Sequence, residues 1–187
     1  MYSGHYRVTF IGHSYVRDLD ERHTELEVRN KMFTAKYIAV PGGTFRTYLH
    51  NLHYFEALKN TRPDIVVVIL GGNDLKSEAG LSRNFSECSQ FYRILRETVP
   101  SAIIIGSQVE TRFYKPNNRF GCPTHRTWDA LRRQFNRFLH GLPYHDLILE
   151  LEGHLDSKGD YRDGIHLSSR GFKTYIDLIL MTLSYCF

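Results

Sequence analysis

Cysteine is scarce in this chain: Cys88, Cys122 and Cys186 are three in 187 residues. An odd number with no motif spacing excludes a disulfide-stapled scaffold and a Cys-rich zinc site, and reads as reduced thiols of an intracellular, cytoplasmic protein. Long apolar runs are also missing. The longest fall far short of the roughly 20 residues a membrane-spanning helix needs, and MYSGHYRVTF at the start holds no apolar stretch of signal-peptide length before the first strand-like run. There is no P-loop and no G-x-G-x-x-G fingerprint, which argues against nucleotide binding. Asp156, Asp160 and Asp163 miss the spacing of a calcium loop. His50, His53 and Glu56 recur at three-residue intervals on a predicted helix, but no further ligand accompanies them. No metal and no cofactor is expected. Repeats, low-complexity segments and linkers are absent too, so residues 1–187 read as a single domain.

What is present is an ordinary globular composition, 42% hydrophobic and 24% charged. Lys plus Arg number 24 against 20 for Asp plus Glu, a net charge of +4. That mild excess permits acidic partners without requiring them. Apolar runs alternate with helix-length segments from end to end. YRVTFIG (6–12), FTAKYIAV (33–40), DIVVVIL (64–70), AIIIGSQV (102–109) and HDLILEL (145–151) are the strand candidates. The third and fourth are continuous β-branched runs, the pattern of strands buried on both faces of a parallel sheet. Residues 44–59, 84–98, 124–140 and 168–183 are the helix candidates; Trp128, Leu131, Phe135 and Leu139 recur at helical spacing and belong to the core. Alternation of this kind predicts an α/β sandwich around a five-stranded, mainly parallel sheet.

Open parallel sheets carry their sites at the carboxyl ends of the strands. There the chain places Gly12-His13-Ser14, Pro41-Gly42-Gly43-Thr44, Gly71-Gly72-Asn73-Asp74 and, beyond the fifth strand, Asp163-Gly164-Ile165-His166. Each part also has a structural use. A serine after a strand caps a helix, the glycine pairs make turns, and Asp163 and His166 fit a surface cap and a half-buried histidine. The joint occurrence at successive strand ends is what points to chemistry. A serine hydroxyl needs a base within hydrogen-bond reach to act as nucleophile, and His166, oriented by Asp163, is such a base. The backbone N–H groups of Ser14 and Gly42 and the side-chain amide of Asn73 are donors for the oxyanion that would form.

In these four blocks, GHSY at 12–15, PGG at 41–43, GGND at 71–74 and DGIH at 163–166, the chain resembles the SGNH (GDSL-type) hydrolases, named for Ser, Gly, Asn and His. The resemblance spans nearly the whole chain, and GGND and the D-x-x-H are its most specific parts. It implies a flavodoxin-like three-layer α/β/α sandwich and a serine esterase acting on acetyl or short- to medium-chain carboxylic esters through an acyl-serine intermediate, without a cofactor. It implies Ser14 as nucleophile, His166 as base oriented by Asp163, and Ser14, Gly42 and Asn73 as the oxyanion hole. Gly43 is the second choice for the glycine donor, since the register of so short a block can slip by one. The first block departs from the family pattern, with His13 where an aspartate is common. Val16 stands where a G-x-S-x-G elbow has its second glycine, which disfavours an α/β-hydrolase fold.

GHSYVRDL also resembles SGNH domains encoded by animal transposable elements, which would set the domain beside nucleic-acid-binding modules. Arg112, Lys115, Arg119, Arg126, Arg132, Arg133 and Arg137 stand against one acid, Asp129, between residues 111 and 140. Such a segment suits a nucleic-acid partner or, equally, a solvated helix face. Phe113, Tyr114 and Phe120 in its loop half are candidates for lining an acyl pocket. The competing functional reading is a non-catalytic module on the same fold that binds acyl, glycan or nucleic-acid ligands.

Overall fold

The computed structural model describes residues 5–22, 26, 32–113 and 124–187. Its centre follows from the β-branched runs. Strand β3 (Ile65–Ile69) is buried at every position. Ile65, Val67 and Ile69 enter one apolar cluster, while Val66 and Val68 enter another. Successive side chains of a strand point to opposite faces, so an uninterrupted apolar run needs cover on both. Around β3 lie β1 (Tyr6–Gly12), β2 (Phe33–Ala39), β4 (Ile103–Ser107) and β5 (Leu147–Leu149), in the order β2-β1-β3-β4-β5. Every pairing is parallel. This is the expected three-layer α/β/α fold with a five-stranded sheet.

Helices α1 (Ser14–Asp20) and α6 (Ser169–Ser184) cover one face with Tyr15, Val16, Leu19, Phe172, Tyr175 and Ile179. Helices α2 (Phe45–Leu49), α3 (His53–Thr61), α4 (Leu81–Thr98) and α5 (His125–His140) cover the other. On α5 the expected core positions Trp128, Leu131, Phe135 and Leu139 are all buried. Several boundaries differ from expectation: the fifth strand shortens from 145–151 to Leu147–Leu149, and α4 begins at Leu81 rather than at residue 84. The segment 44–59 is two helices rather than one. The Asn51 side chain accepts from the His53 N–H at 3.3 Å, a local bond that competes with the helical ladder, and a capping box of Thr44 and Thr47 encloses the short first piece. His50 and His53 thus lie on either side of a break. The fourth apolar run leaves the sheet after Ser107: the Gln108 N–H still donates to the Leu149 carbonyl at 3.0 Å, but the backbone of Val109 finds a side-chain partner instead. Val109 donates to Asn136 Oδ1 at 2.8 Å and accepts from its Nδ2 at 3.2 Å.

Among the described residues, no helix is long and apolar enough to cross a membrane. The α2–α4 face is locked by aromatic rings around Phe91, whose centroid lies 5.4 Å from both Phe45 and Phe55, 5.8 Å from Tyr48 and 5.6 Å from Tyr92. Phe91 is completely buried. Phe91→Ala is therefore expected to cost about 3–5 kcal/mol, measured as a lowered urea midpoint at unchanged slope.

Candidate active site

Three of the four blocks are brought to one rim by strand register. Gly12 pairs with Ala39 on β2 and with Ile69 on β3, so the chain leaves all three strands at the same level. The Tyr48 hydroxyl, donating to the carbonyls of Gly12 at 2.7 Å and Ile38 at 3.1 Å, ties the second block to the first. The Tyr15 hydroxyl donates to the Ile165 carbonyl at 2.6 Å and brings the fourth block onto α1.

Ser14 is the first residue of α1 and half-buried; the N-cap is His13, one residue earlier than the sequence reading placed it. His13 Nδ1 accepts from the Tyr15 N–H at 3.4 Å. Its ring is buried, and burial pushes its pKa down to about 4, helped by the charges of Arg112 and His166 and opposed by Glu110 and Asp18. The neutral imidazole keeps the lone pair the cap requires. The N–H of Ser14 lies at a position with no intrahelical acceptor.

Pro41-Gly42-Gly43 forms a tight turn in which the Gly43 N–H donates to the Val40 carbonyl at 2.7 Å. Gly42 has φ +74°, the left-handed conformation that the third position of a type II turn requires of glycine. The Gly43 N–H is thereby used up. Gly42 is exposed, with open space where a Cβ would stand.

Asn73 is half-buried, and its Nδ2 donates to the Gly43 carbonyl at 3.1 Å, joining the second and third blocks. One Nδ2 hydrogen remains for another acceptor. Asp74 is buried; its Oδ1 accepts from the Phe45 N–H at 3.1 Å, and its carbonyl accepts from Asn84 Nδ2 at 2.8 Å. Burial pushes its carboxyl up to about 7, with Oδ2 lacking a hydrogen-bond partner among the described residues.

Asp163 and His166 form the fourth part. His166 Nδ1 lies 2.8 Å from Asp163 Oδ2, and Asp163 Oδ1 accepts from the backbone N–H groups of Ile165 at 2.9 Å and His166 at 2.7 Å. Partial burial would raise this carboxyl, but the bonds from His166 and Ile165 outweigh it and hold the group at about 2. The loop is fixed at its base by an antiparallel bridge between Tyr161 and Leu167 and by the Arg162 N–H donating to the His166 carbonyl at 2.9 Å. On its other side the Phe113 N–H donates to the Gly164 carbonyl at 2.7 Å. The Phe113 ring stacks on His125 at 4.9 Å and meets Tyr161 edge-on at 5.4 Å. Tyr114, Lys115, Arg119, Phe120 and Cys122 lie outside the described residues.

The basic segment is not one cationic face. Arg126, Arg133 and Arg137 are exposed, but Arg132 is buried against Asp129 at 2.8 Å and Glu152 at 3.6 Å. Arg112 is also buried, with Nε 3.0 Å from the buried Glu110. The sequence reading missed this pair. Its signal was an E-x-R directly after a buried strand, where residues two apart share a side of extended chain. Among the described residues no three His, Cys, Asp or Glu side chains gather as metal ligands.

A sequence model of the GDSL-like Lipase/Acylhydrolase family matches residues 7–173. No curated protein matches the chain significantly in sequence. Among solved structures, a GDSL-like lipase from Bacteroides thetaiotaomicron is 17% identical, with 97% of this chain and 89% of that one covered at a TM-score of 0.71. The acetyl xylan esterase AlAXEase is 12% identical over 94% of this chain and 98% of its own, at 0.68. A carbohydrate esterase family 3 protein from Talaromyces cellulolyticus is 15% identical over 97% of both chains, also at 0.68. At these identities the likeness is one of fold.

Asp74 gives a stability test at this rim. Its folded pKa of about 7 lies above the ordinary 3.8, so between those values the native state holds a proton that the unfolded chain releases. The native state therefore loses stability as pH rises through this window, by on the order of a few kcal/mol. Asp74→Asn keeps the acceptor for Phe45 and removes the ionisation. In urea titrations the variant should gain on wild type between about pH 4 and about pH 7 and hold that gain above; an unchanged difference would show that Asp74 ionises freely in the native state.

Proposed function

The chain belongs to the GDSL-like lipase/acylhydrolase family, and from that premise we propose that it is a serine esterase, with residues 1–187 acting as one domain. Its substrates are acetyl or short- to medium-chain acyl carboxylic esters. The observation that carries this reading is the Asp163–His166 hydrogen bond at the rim that also holds Ser14, Gly42 and Asn73. Asp163 takes up His166 Nδ1 and, with its pKa held at about 2, stays a carboxylate across the neutral range. Nε2 of His166 is then the nitrogen left to accept a proton.

As Ser14 Oγ bonds to the ester carbonyl carbon, its proton passes to His166 Nε2 and the carbonyl π electrons move onto oxygen. The N–H groups of Ser14 and Gly42 and the second Nδ2 hydrogen of Asn73 receive that oxyanion. When the C–O bond to the alcohol breaks, His166 returns the proton to the departing oxygen. Water then repeats the sequence on the acyl-serine, releasing the acid and restoring Ser14. Phe113, joined through its backbone to the loop that carries His166, forms one wall of the acyl side of the site in this reading. Fold neighbours that include an acetyl xylan esterase and a carbohydrate esterase support acetyl esters as the first substrates to try. The comparisons lend no support to a transposable-element context, and the esterase reading stands without one.

The test is hydrolysis of p-nitrophenyl acetate against longer acyl esters. Ser14→Ala and His166→Ala should each lower turnover by on the order of 10³-fold or more, and the double variant little further. A fluorophosphonate probe should label wild type and not Ser14→Ala. Folded wild type that matches its variants at background on every ester, and takes no label, would leave the non-catalytic binding module as the better account.

A further inference from the structure

The buried Arg112 belongs to no step of the chemistry above, yet the fold goes to some length to place it. The chain from Gln108 to Arg112 is buried throughout after leaving the sheet. Asn136 holds Val109 by both its amide atoms. Glu110 Oε1 accepts from Arg112 Nε at 3.0 Å. The face of Trp128 lies 4.8 Å from the guanidinium carbon, a cation–π contact. The His125 ring, through Nδ1, is bonded to the Arg112 carbonyl at 2.8 Å. Gly72 leaves the room, since a Cβ there would stand 2.3 Å from Arg112 Nη2 and 3.3 Å from Glu110 Oε1.

So held, both terminal nitrogens of Arg112 reach Asn73 Oδ1, each at 3.4 Å. An asparagine amide has two orientations related by a flip, and its environment selects one. Here a cationic fork of donors faces one end and the Gly43 carbonyl the other. A flipped amide would turn its NH₂ toward the guanidinium and its oxygen toward the carbonyl, two repulsions at once. We infer that Arg112, fixed by Glu110 and Trp128 through the opening left by Gly72, is a positioning residue that locks the Asn73 amide with its free N–H turned to the oxyanion. The inference rests on the esterase reading for its catalytic consequence, though the amide orientation itself does not.

Arg112→Lys keeps the charge opposite Glu110 and removes the fork; Glu110→Gln/Arg112→Met removes both charges and guards against misfolding from an unpaired buried acid. Either variant, with a far-ultraviolet spectrum like wild type, should lose about 10- to 100-fold in kcat on p-nitrophenyl acetate with KM changed by less than about threefold, a smaller loss than deletion of an oxyanion donor brings. In an Asn73→Ala background the same changes should cost less than about twofold more, because the group they position is gone. A merely structural role would give an equal loss in both backgrounds, and that result would overturn the inference, as would kcat within twofold of wild type. A second readout needs no turnover. The Asn73 side-chain NH₂ pair in a ¹⁵N correlation spectrum, assigned by its disappearance in Asn73→Ala, should exchange with solvent at least about fivefold faster in Arg112→Lys. Unchanged exchange would overturn the positioning role. Wild type that cleaves no ester while the exchange rate rises would sink the esterase reading and leave the positioning intact.

Discussion

The register of β1 between its two neighbours is the constraint on which everything else at the rim depends. Gly12 is the last paired residue on both sides, opposite Ala39 and Ile69, and the ladder continues one step beyond it, with the Val40 N–H on the Gly12 carbonyl and the His13 N–H on the Ile69 carbonyl. Buried backbone groups must find partners, and a slip of one residue would turn Ile65, Val67 and Ile69 from one apolar cluster into the other. Hydrophobic packing on both faces therefore fixes where Ser14, Gly42 and Asn73 emerge. The two tyrosine hydroxyls that reach Gly12 and Ile165 only fasten what the sheet has already aligned.

Much of this was legible in the residue order because it depends on periodicity and on local turn chemistry. A β-branched run with nothing polar in it has the pattern of a strand covered on both faces, and Pro41-Gly42 has the residues of a tight turn. The less legible parts depend on partners far along the chain. Arg112 and Arg132 read as surface cations beside Arg126 and Arg133, yet Arg132 turns inward to meet Glu152, which no local pattern links to it. The departure of Val109 from the sheet answers to Asn136, on a helix beyond it. The break after α2 was local but subtle, a single asparagine bonding two residues ahead.

Burial treats the ionisable groups behind the rim in two ways. Among the described residues His13 and Asp74 have no counter-ion in contact, and burial drives them toward their neutral forms, to about 4 and about 7. Glu110 and Arg112 stand in contact and share their desolvation as a pair. Replacing such a pair by apolar side chains often leaves stability unharmed, so stability alone does not account for its presence. Its geometry does: a neutral pair adds no net charge near Ser14, while its outer end presents donors to one atom of Asn73.

The same distinction bears on His13. The N-cap of α1 needs an acceptor for the Tyr15 N–H, and a carboxylate supplies one with a negative charge attached. A neutral imidazole supplies one without charge, through Nδ1. In this site a carboxylate would have to be desolvated, the same burial that drives the His13 imidazole to its neutral form. Imidazole in its neutral form avoids that cost and still closes the first turn of the helix that begins with Ser14.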